Sequence, residues 1–460
     1  VIIDYGSASG VYSASRTGSA LGRHQVLLDG MAPSSTVYYR VTVTASGNPV
    51  DSLTLAEAGF STAKAPGVPF SFGVVGDNRP PWTSPIAQPA VWQTIVGQMS
   101  AENIDFVLHS GDIIYGATSD TAGQNEEKYD VFFGITSLLT AGTPLYTVPG
   151  NHERLESPTN RQGYEREFTL PVNNGVDAAT DGEEYYSLDY GDTHFIFLCT
   201  ELPGESPLII NNQKAWLEAD LAASSKPWKV VILHRPLFSQ GHPADPWIDP
   251  ADISGRNNRD AIHGLFKQYG VDVVFQGHDH FYLHQVRDGI QYVVSGGGGS
   301  PLYDLPAFGP GDIYGARAYH HVKVDETAGS LSITAIDAAG VTLESFTLGM
   351  PSLSLAQTGI YWKNMADYLA GILSVDYSLG NTGNGDLATL DIVYLGASDG
   401  VSPITAVPVS LGGLPVGQSV PLTLQYLIPA GTGFFSSSTF VICTDLAGGS
   451  YAFPGPAPTP

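Results

Sequence analysis

Apolar residues fall into two textures along this chain. Residues 1–65 and 351–460 carry short runs in which apolar and polar positions alternate between Gly, Asn and Pro, the period of half-buried strands. The pattern predicts strands at Val1–Tyr5, His24–Leu28 and Thr36–Thr44, closing near Phe60-Ser61-Thr62, and again at Leu373–Tyr377, Ala388–Tyr394, Pro421–Tyr426 and Thr439–Thr444. Between these regions, continuous apolar runs of strand length alternate with helical stretches at Ala87–Met99, Lys128–Leu139, Gln213–Ala223 and Arg259–Tyr269. Alternation of that kind builds an α/β layered core. The expected organisation is therefore a partial β-sandwich over 1–65, an α/β domain over 66–350 and a second all-β sandwich over 351–460. The last part ends in Pro454-Gly455-Pro456-Ala457-Pro458-Thr459-Pro460, which cannot pair in a sheet.

Composition narrows the functions open to such a chain. Of 460 residues, 43% are hydrophobic and 14% charged, which excludes a disordered polymer. Lys and Arg number 20 against 45 Asp and Glu, a net charge of −25. That field repels a phosphate backbone, so nucleic acid is not an expected partner. No apolar stretch reaches the roughly 18 residues of a membrane span. Cys199 and Cys443 lie far apart in apolar runs and read as buried free thiols. The few lysines, the acidic balance and the Pro/Thr-rich end suit a protein of the cell surface, periplasm or exterior whose signal peptide has been removed.

The middle segment carries the candidate chemistry. Five strand-like runs each end in a residue able to bind metal: Phe72-Gly73-Val74-Val75-Gly76 leads to Asp77, Phe106–Gly111 to Asp112, and Leu145–Gly150 to Asn151. Val230-Val231-Ile232-Leu233 leads to His234, and Val273-Val274-Phe275-Gln276-Gly277 to His278, with His280 two residues on. In open α/β sheets, ligands bind outside the carboxyl ends of the strands, so these five loops can meet in one crevice.

The ordered set Gly-Asp-x-Arg, Gly-Asp-x-x-Tyr, Gly-Asn-His-Glu, a strand-ending His and Gly-His-x-His resembles the calcineurin-like metallophosphoesterases, and within them the purple acid phosphatases. Residues 28–41 similarly resemble the late strands of a fibronectin type III-like sandwich, and 351–460 an immunoglobulin-like one. The resemblance implies a four-layer α/β (α+β) sandwich core flanked by helices, with all-β domains at both ends. It implies two metal ions about 3.5–4 Å apart. Asp112 would bridge them, Asp77, Tyr115 and His280 would complete the first site, and Asn151, His234 and His278 the second. Two carboxylates, a phenolate and an imidazole favour iron(III) in the first site, and the second suits divalent zinc, iron or manganese. Tyr115 also follows Ile113 and Ile114, as an ordinary residue at a strand end would.

By the same resemblance His152 faces the substrate, joined by His242 and by the Arg79 guanidinium as a phosphate-binding group. Glu153 is a candidate to orient His152. His109, His284, His320 and His321 read as packed residues, and Gly296–Gly299 as a place of close backbone approach. The expected function is hydrolysis of a small phosphomonoester by hydroxide bound at the dinuclear centre. Two alternatives stay open: a diesterase or nucleotidase on the same site, and a filament or envelope scaffold. In the short amino-terminal sandwich an exposed sheet edge invites strand exchange or assembly with a neighbouring chain.

Overall fold

The computed structural model describes residues 1–18, 24–45, 51–175, 182–327, 329–446 and 448–454. The Pro-rich tail beyond Pro454 lies outside them. The chain divides into two compact units, residues 1–328 with 334–344, and residues 329–333 with 345–460.

In the first unit the amino-terminal part is a single antiparallel sheet of five strands. Its centre is Thr36–Ala45, which pairs with Ile2–Gly6 along one edge and with Ala58–Ser61 and Asp51–Thr54 along the other. Ala14–Thr17 extends the sheet beyond Ile2–Gly6. The strand expected at His24–Leu28 does not form: the segment is irregular and leaves Leu27 80% exposed. Its alternation meets no ladder among the described residues, and alternation without a partner strand stabilises nothing.

The core of this unit is built from two mixed sheets packed face to face. One runs Asp312–Ala316, Tyr282–Arg287, Ile290–Ser295, Val273–Gln276, Trp228–Ile232, Thr193–Phe197, Tyr186–Tyr190. The other includes, in order, His320–Thr327, Phe70–Val75, Phe106–His109 and Leu145–Thr147. Aromatic rings fill the space between them. Phe72 and Phe106 stack at 5.2 Å, and Phe195 from the facing sheet meets both edge-on at 5.2 and 5.3 Å. Such edge-to-face contacts add about 1 kcal/mol each beyond burial. Outside the first sheet, Leu217 and Leu221 of helix Asn211–Ala223 and Ile262 and Phe266 of helix Ile253–Tyr269 share a core with Ile196, Val231 and Val274. Helices Ala90–Ala101 and Ala122–Thr140 pack together beside the second sheet, Trp92 of one stacking on Phe132 of the other, which completes a helix–sheet–sheet–helix order. The fold class expected from the sequence is the one observed.

Helix limits follow local chemistry. Thr121 and Gln124 form a capping box, so the second helix begins six residues before the Lys128 that opens its apolar stretch. Helix Pro158–Glu167 has no apolar stripe and was not expected; Pro158 starts it, and Asn160, Gly163 and Tyr164 are its buried residues.

Register places the strand ends together. Phe70–Val75, Phe106–His109 and Leu145–Thr147 are parallel, with Val75 opposite His109 and His109 opposite Thr147. On the facing sheet Trp228–Ile232 and Val273–Gln276 are parallel, with Ile232 opposite Phe275. The loops leaving each set therefore emerge at a common level.

In the strand next to the edge of the seven-stranded sheet, His194 is clamped between two carboxylates, Nδ1 at 2.7 Å from Asp189 and Nε2 at 2.9 Å from Asp220. Burial opposes its charge, but the two carboxylates outweigh it and raise its pKa. A raised folded-state pKa contributes stability that is fully present below the unfolded value of about 6.5 and is lost as pH rises through the folded value. His194→Gln is thus expected to destabilise the protein more at pH 5.5 than at pH 9, in urea unfolding at both. An equal penalty would show that the ring acts only by packing.

The second unit is a β-sandwich of two four-stranded sheets, Leu353–Tyr361, Ile372–Asn381, Ser419–Leu427, Ser402–Pro403 and Val409–Ser410, Leu387–Ala397, Ser437–Asp445, Ser450–Pro454. Alternate residues such as Val375, Tyr377, Leu424, Tyr426, Val441 and Cys443 form its core. Both cysteines are free and buried. Among the described residues no helix is long and apolar enough to cross a membrane.

Candidate metal centre

Asp77, Asp112 and His278 leave their strands through left-handed backbone, with φ of 59°, 58° and 67°. Each costs of order 1 kcal/mol in a non-glycine residue, and such strain collects at functional sites. The turn is tight because the loops touch: a Cβ on Gly277 would sit 2.5 Å from Asp77 Oδ2. The Gly296–Gly299 run lies equally close, since a Cβ on Gly298 would be 2.3 Å from the Gly76 carbonyl oxygen. Close approach is therefore what that run provides.

Asp77, Asp112 and His234 are buried, and each offers a ligand atom within 4.8 Å of the others. Asp77 Oδ2 accepts the His278 N–H at 2.9 Å, while Oδ1 is buried with no hydrogen-bond partner and faces His280 Nε2 at 3.5 Å. Asp112 Oδ1 accepts the His152 N–H at 2.9 Å and lies 3.4 Å from His234 Nε2; Oδ2 accepts Arg79 Nε at 3.0 Å. Burial works against the Asp112 charge, yet His152, His234 and Arg79 together hold its carboxyl far below the usual range.

Two of the imidazoles have one nitrogen committed. His234 Nδ1 donates to the Ser110 carbonyl at 2.8 Å, and His280 Nδ1 to that of Pro301 at 2.8 Å. The Nε2 lone pair of His234 then faces Asn151 Oδ1 at 3.0 Å, acceptor to acceptor unless the ring takes a second proton. Asp112 and Asp77 do raise the His234 pKa against burial. A cation between these atoms would satisfy the imidazole, the amide oxygen and the orphaned Asp77 oxygen at once. The donor set fits a metal centre.

Around this cluster the other expected residues take distinct places. The Tyr115 ring packs on His152 at 4.6 Å, with the Arg79 guanidinium 5.3 Å from its centroid. His152 Nδ1 is buried without a partner, and burial lowers its pKa to about 4. Arg79 is an ion-paired neighbour of Asp112 and is not a surface group. His242 stacks on His278 at 3.8 Å, its Nδ1 2.8 Å from Asp279. His109, His284, His320 and His321 are buried; His109 Nδ1 accepts the Gly111 N–H and its Nε2 donates to Asn78.

Glu153 does not orient His152. Its two oxygens accept the backbone N–H groups of Asp112, Ile113, Ile114 and Gly150, tying two of the ligand loops together. Burial and the Asp112 charge raise its proton affinity, and cations beside Asp112 would relieve the second effect. Sequence reasoning also missed Tyr303, whose ring stacks on His280 at 4.2 Å and lies 5.4 Å from His242. Its place directly after the Gly296–Gly299 run, at Pro301-Leu302-Tyr303, was the available signal.

Residues 70–282 match the family described as calcineurin-like phosphoesterase. The chain is 26% identical over 302 residues to purple acid phosphatase 22 of Arabidopsis thaliana, covering 61% of this chain and 60% of the relative. It is 32% identical over 194 residues to acid phosphatase type 7 of Mus musculus, covering 39% and 40%. The chain therefore spans less than two thirds of the length of these curated relatives. The structure of purple acid phosphatase PPD1 from yellow lupin (Lupinus luteus) seeds aligns with a TM-score of 0.61 at 18% identity, over 76% of this chain and 69% of that one, a likeness of fold. Residues 70–282 are thus similar to the calcineurin-like phosphoesterases. Over part of its length the chain is also similar to purple acid phosphatases.

Proposed function

We propose that the chain hydrolyses small phosphomonoesters at a dinuclear metal centre, with iron(III) held by Asp77, Asp112, Tyr115 and His280 and a divalent zinc, iron or manganese held by Asp112, Asn151, His234 and His278. The observation that carries the proposal is the pair of buried carboxylates, Asp77 and Asp112, meeting the Nε2 side of His234 within 4.8 Å. Two ions bound there would activate the attacking water and neutralise phosphoryl oxygens. Arg79, paired with Asp112, stands where its guanidinium can turn to a phosphate oxygen. The ring of His152, fixed through its backbone on Asp112 and neutral above about pH 4, can donate a hydrogen bond to the ester. The net charge of −25 disfavours a nucleic acid backbone as a partner. An extracellular, periplasmic or cell-surface location belongs to the same proposal and is supported by the acidic composition.

The experiment is metal analysis with visible spectroscopy of the wild type and of Tyr115→Phe. A broad visible band with about one iron per chain, lost in the variant, is expected for a tyrosinate–iron(III) pair. A colourless protein with two divalent ions would reject iron(III), and chromogenic mono- and diesters would then separate phosphatase from diesterase. A protein that takes up no metal would leave the scaffold reading in front.

A further inference from the structure

Three imidazoles are candidates for the metal ions, and one of them is backed differently. His234 and His280 each rest on a neutral carbonyl, whereas His278 Nε2 lies 3.3 Å from the carboxylate of Asp245. That oxygen, Oδ2, is buried and has no hydrogen-bond partner. The other, Oδ1, accepts Arg235 Nη1 at 3.0 Å, and Arg235 Nε in turn donates to Glu201 Oε1 at 2.6 Å. Glu201 is held by the hydroxyls of Thr200 and Ser206. The result is a chain of buried or half-buried groups, Glu201–Arg235–Asp245–His278, closed on the far side by the His242 ring stacked on His278.

We propose that Asp245 is a positioning residue for the second metal ion, orienting His278 so that Nε2–H points at the carboxylate and the Nδ1 lone pair faces the metal. The inference rests on the metal-centre reading above. A carboxylate behind an imidazole fixes its tautomer and raises the basicity of the opposite nitrogen, and loss of such a partner typically weakens metal binding by about 10–100-fold. Arg235 Nη1 lies 3.0 Å from Asp245 Oδ1 and 3.5 Å from His278 Nε2, so the closer contact of the guanidinium is with the carboxylate. The spacing is not visible as a motif: Asp245 follows His242 in Pro243-Ala244-Asp245, and reaches His278 only through the fold.

Zinc titration of the full metal-free chain tests this. Wild type is expected to take up two ions, and Asp245→Asn to keep one at unchanged affinity while binding the second about 10–100-fold more weakly. An Asp245→Asn protein that holds both ions as tightly as wild type would overturn the proposal. Wild type that binds no zinc would instead reject the metal centre itself, so the two failures are distinct. A measurement on wild type alone covers an Asp245→Asn chain that does not fold. With histidine nitrogens isotope-labelled, the zinc-loaded protein should show His278 as the Nε2–H tautomer with zinc on Nδ1, against Nδ1–H for His234 and His280. Zinc on Nε2 of His278 would overturn the inference irrespective of any variant.

Discussion

Asp112→Asn is expected to lose both metal ions and at least about 10³-fold in phosphatase activity, a barrier rise of roughly 4 kcal/mol. Asp112 puts one oxygen on each side of the cluster. Oδ1 is 3.4 Å from His234 Nε2, and Oδ2 carries the Arg79 ion pair on the side of Tyr115. An amide keeps the shape and can still accept the His152 N–H, but it offers one neutral oxygen where two charged ones stood. Both groups of donors then lack the shared anion that holds two cations close together. The metal-free fold should lose some stability with the change, because His152, His234 and Arg79 outweigh the burial penalty and favour the Asp112 charge. Metal analysis, thermal unfolding without metal and steady-state hydrolysis together decide the matter. An Asp112→Asn chain that retains two ions would remove Asp112 from the bridging position. One that unfolds without metal would make the activity loss uninformative and direct the test to Asp77→Asn, whose orphaned Oδ1 makes a similar case for the first ion alone.

What could be read from the chain in advance was the part that announces itself locally. Asp77, Asp112, Asn151, His234 and His278 each follow an apolar run of strand length, and parallel pairing in register carries such ends to one level. The sandwich strands of the second unit were legible for the same reason: Ser437–Asp445 is buried at every other residue, and alternation survives in sequence. Hidden were the features set by distant partners. Glu153 serves an N–H 41 positions away, and the Asp245 carboxylate reaches an imidazole on another loop. A carboxylate that accepts backbone donors has no compositional mark to separate it from a solvated one. The irregular His24–Leu28 segment failed for the converse reason, since its alternation was present but no strand lies beside it among the described residues. Helix Pro158–Glu167 is polar throughout, and only its packing through Tyr164 reveals it.

Glu153→Ala is expected to destabilise the metal-free protein by more than about 4 kcal/mol. Four backbone N–H groups, of Asp112, Ile113, Ile114 and Gly150, converge on one fully buried carboxylate. Deleting it strands four donors in a region without solvent, and each costs about 1–3 kcal/mol when left unmade. Two terms have the opposite sign: the cost of burying the carboxylate and its repulsion from Asp112, which together raise the proton affinity of Glu153. Both are opposed by the Gly150 and Ile114 hydrogen bonds and by the His234 charge, and the four stranded backbone donors outweigh what remains. Glu153→Gln separates the terms. It keeps an oxygen for two of the donors but turns an amide N–H₂ on the other two, so about half the penalty should persist, near 2 kcal/mol. Urea unfolding of metal-free wild type and both variants gives the comparison, and a loss below about 1 kcal/mol for Glu153→Ala would mean that the loops find other acceptors. The same variants carry a consequence for the site. Glu153 fixes the Asp112 loop to the Gly150–Asn151 loop, so loosening it separates the shared carboxylate from the amide ligand. Zinc affinity should therefore fall at the second site before the first, in the order wild type, Glu153→Gln, Glu153→Ala.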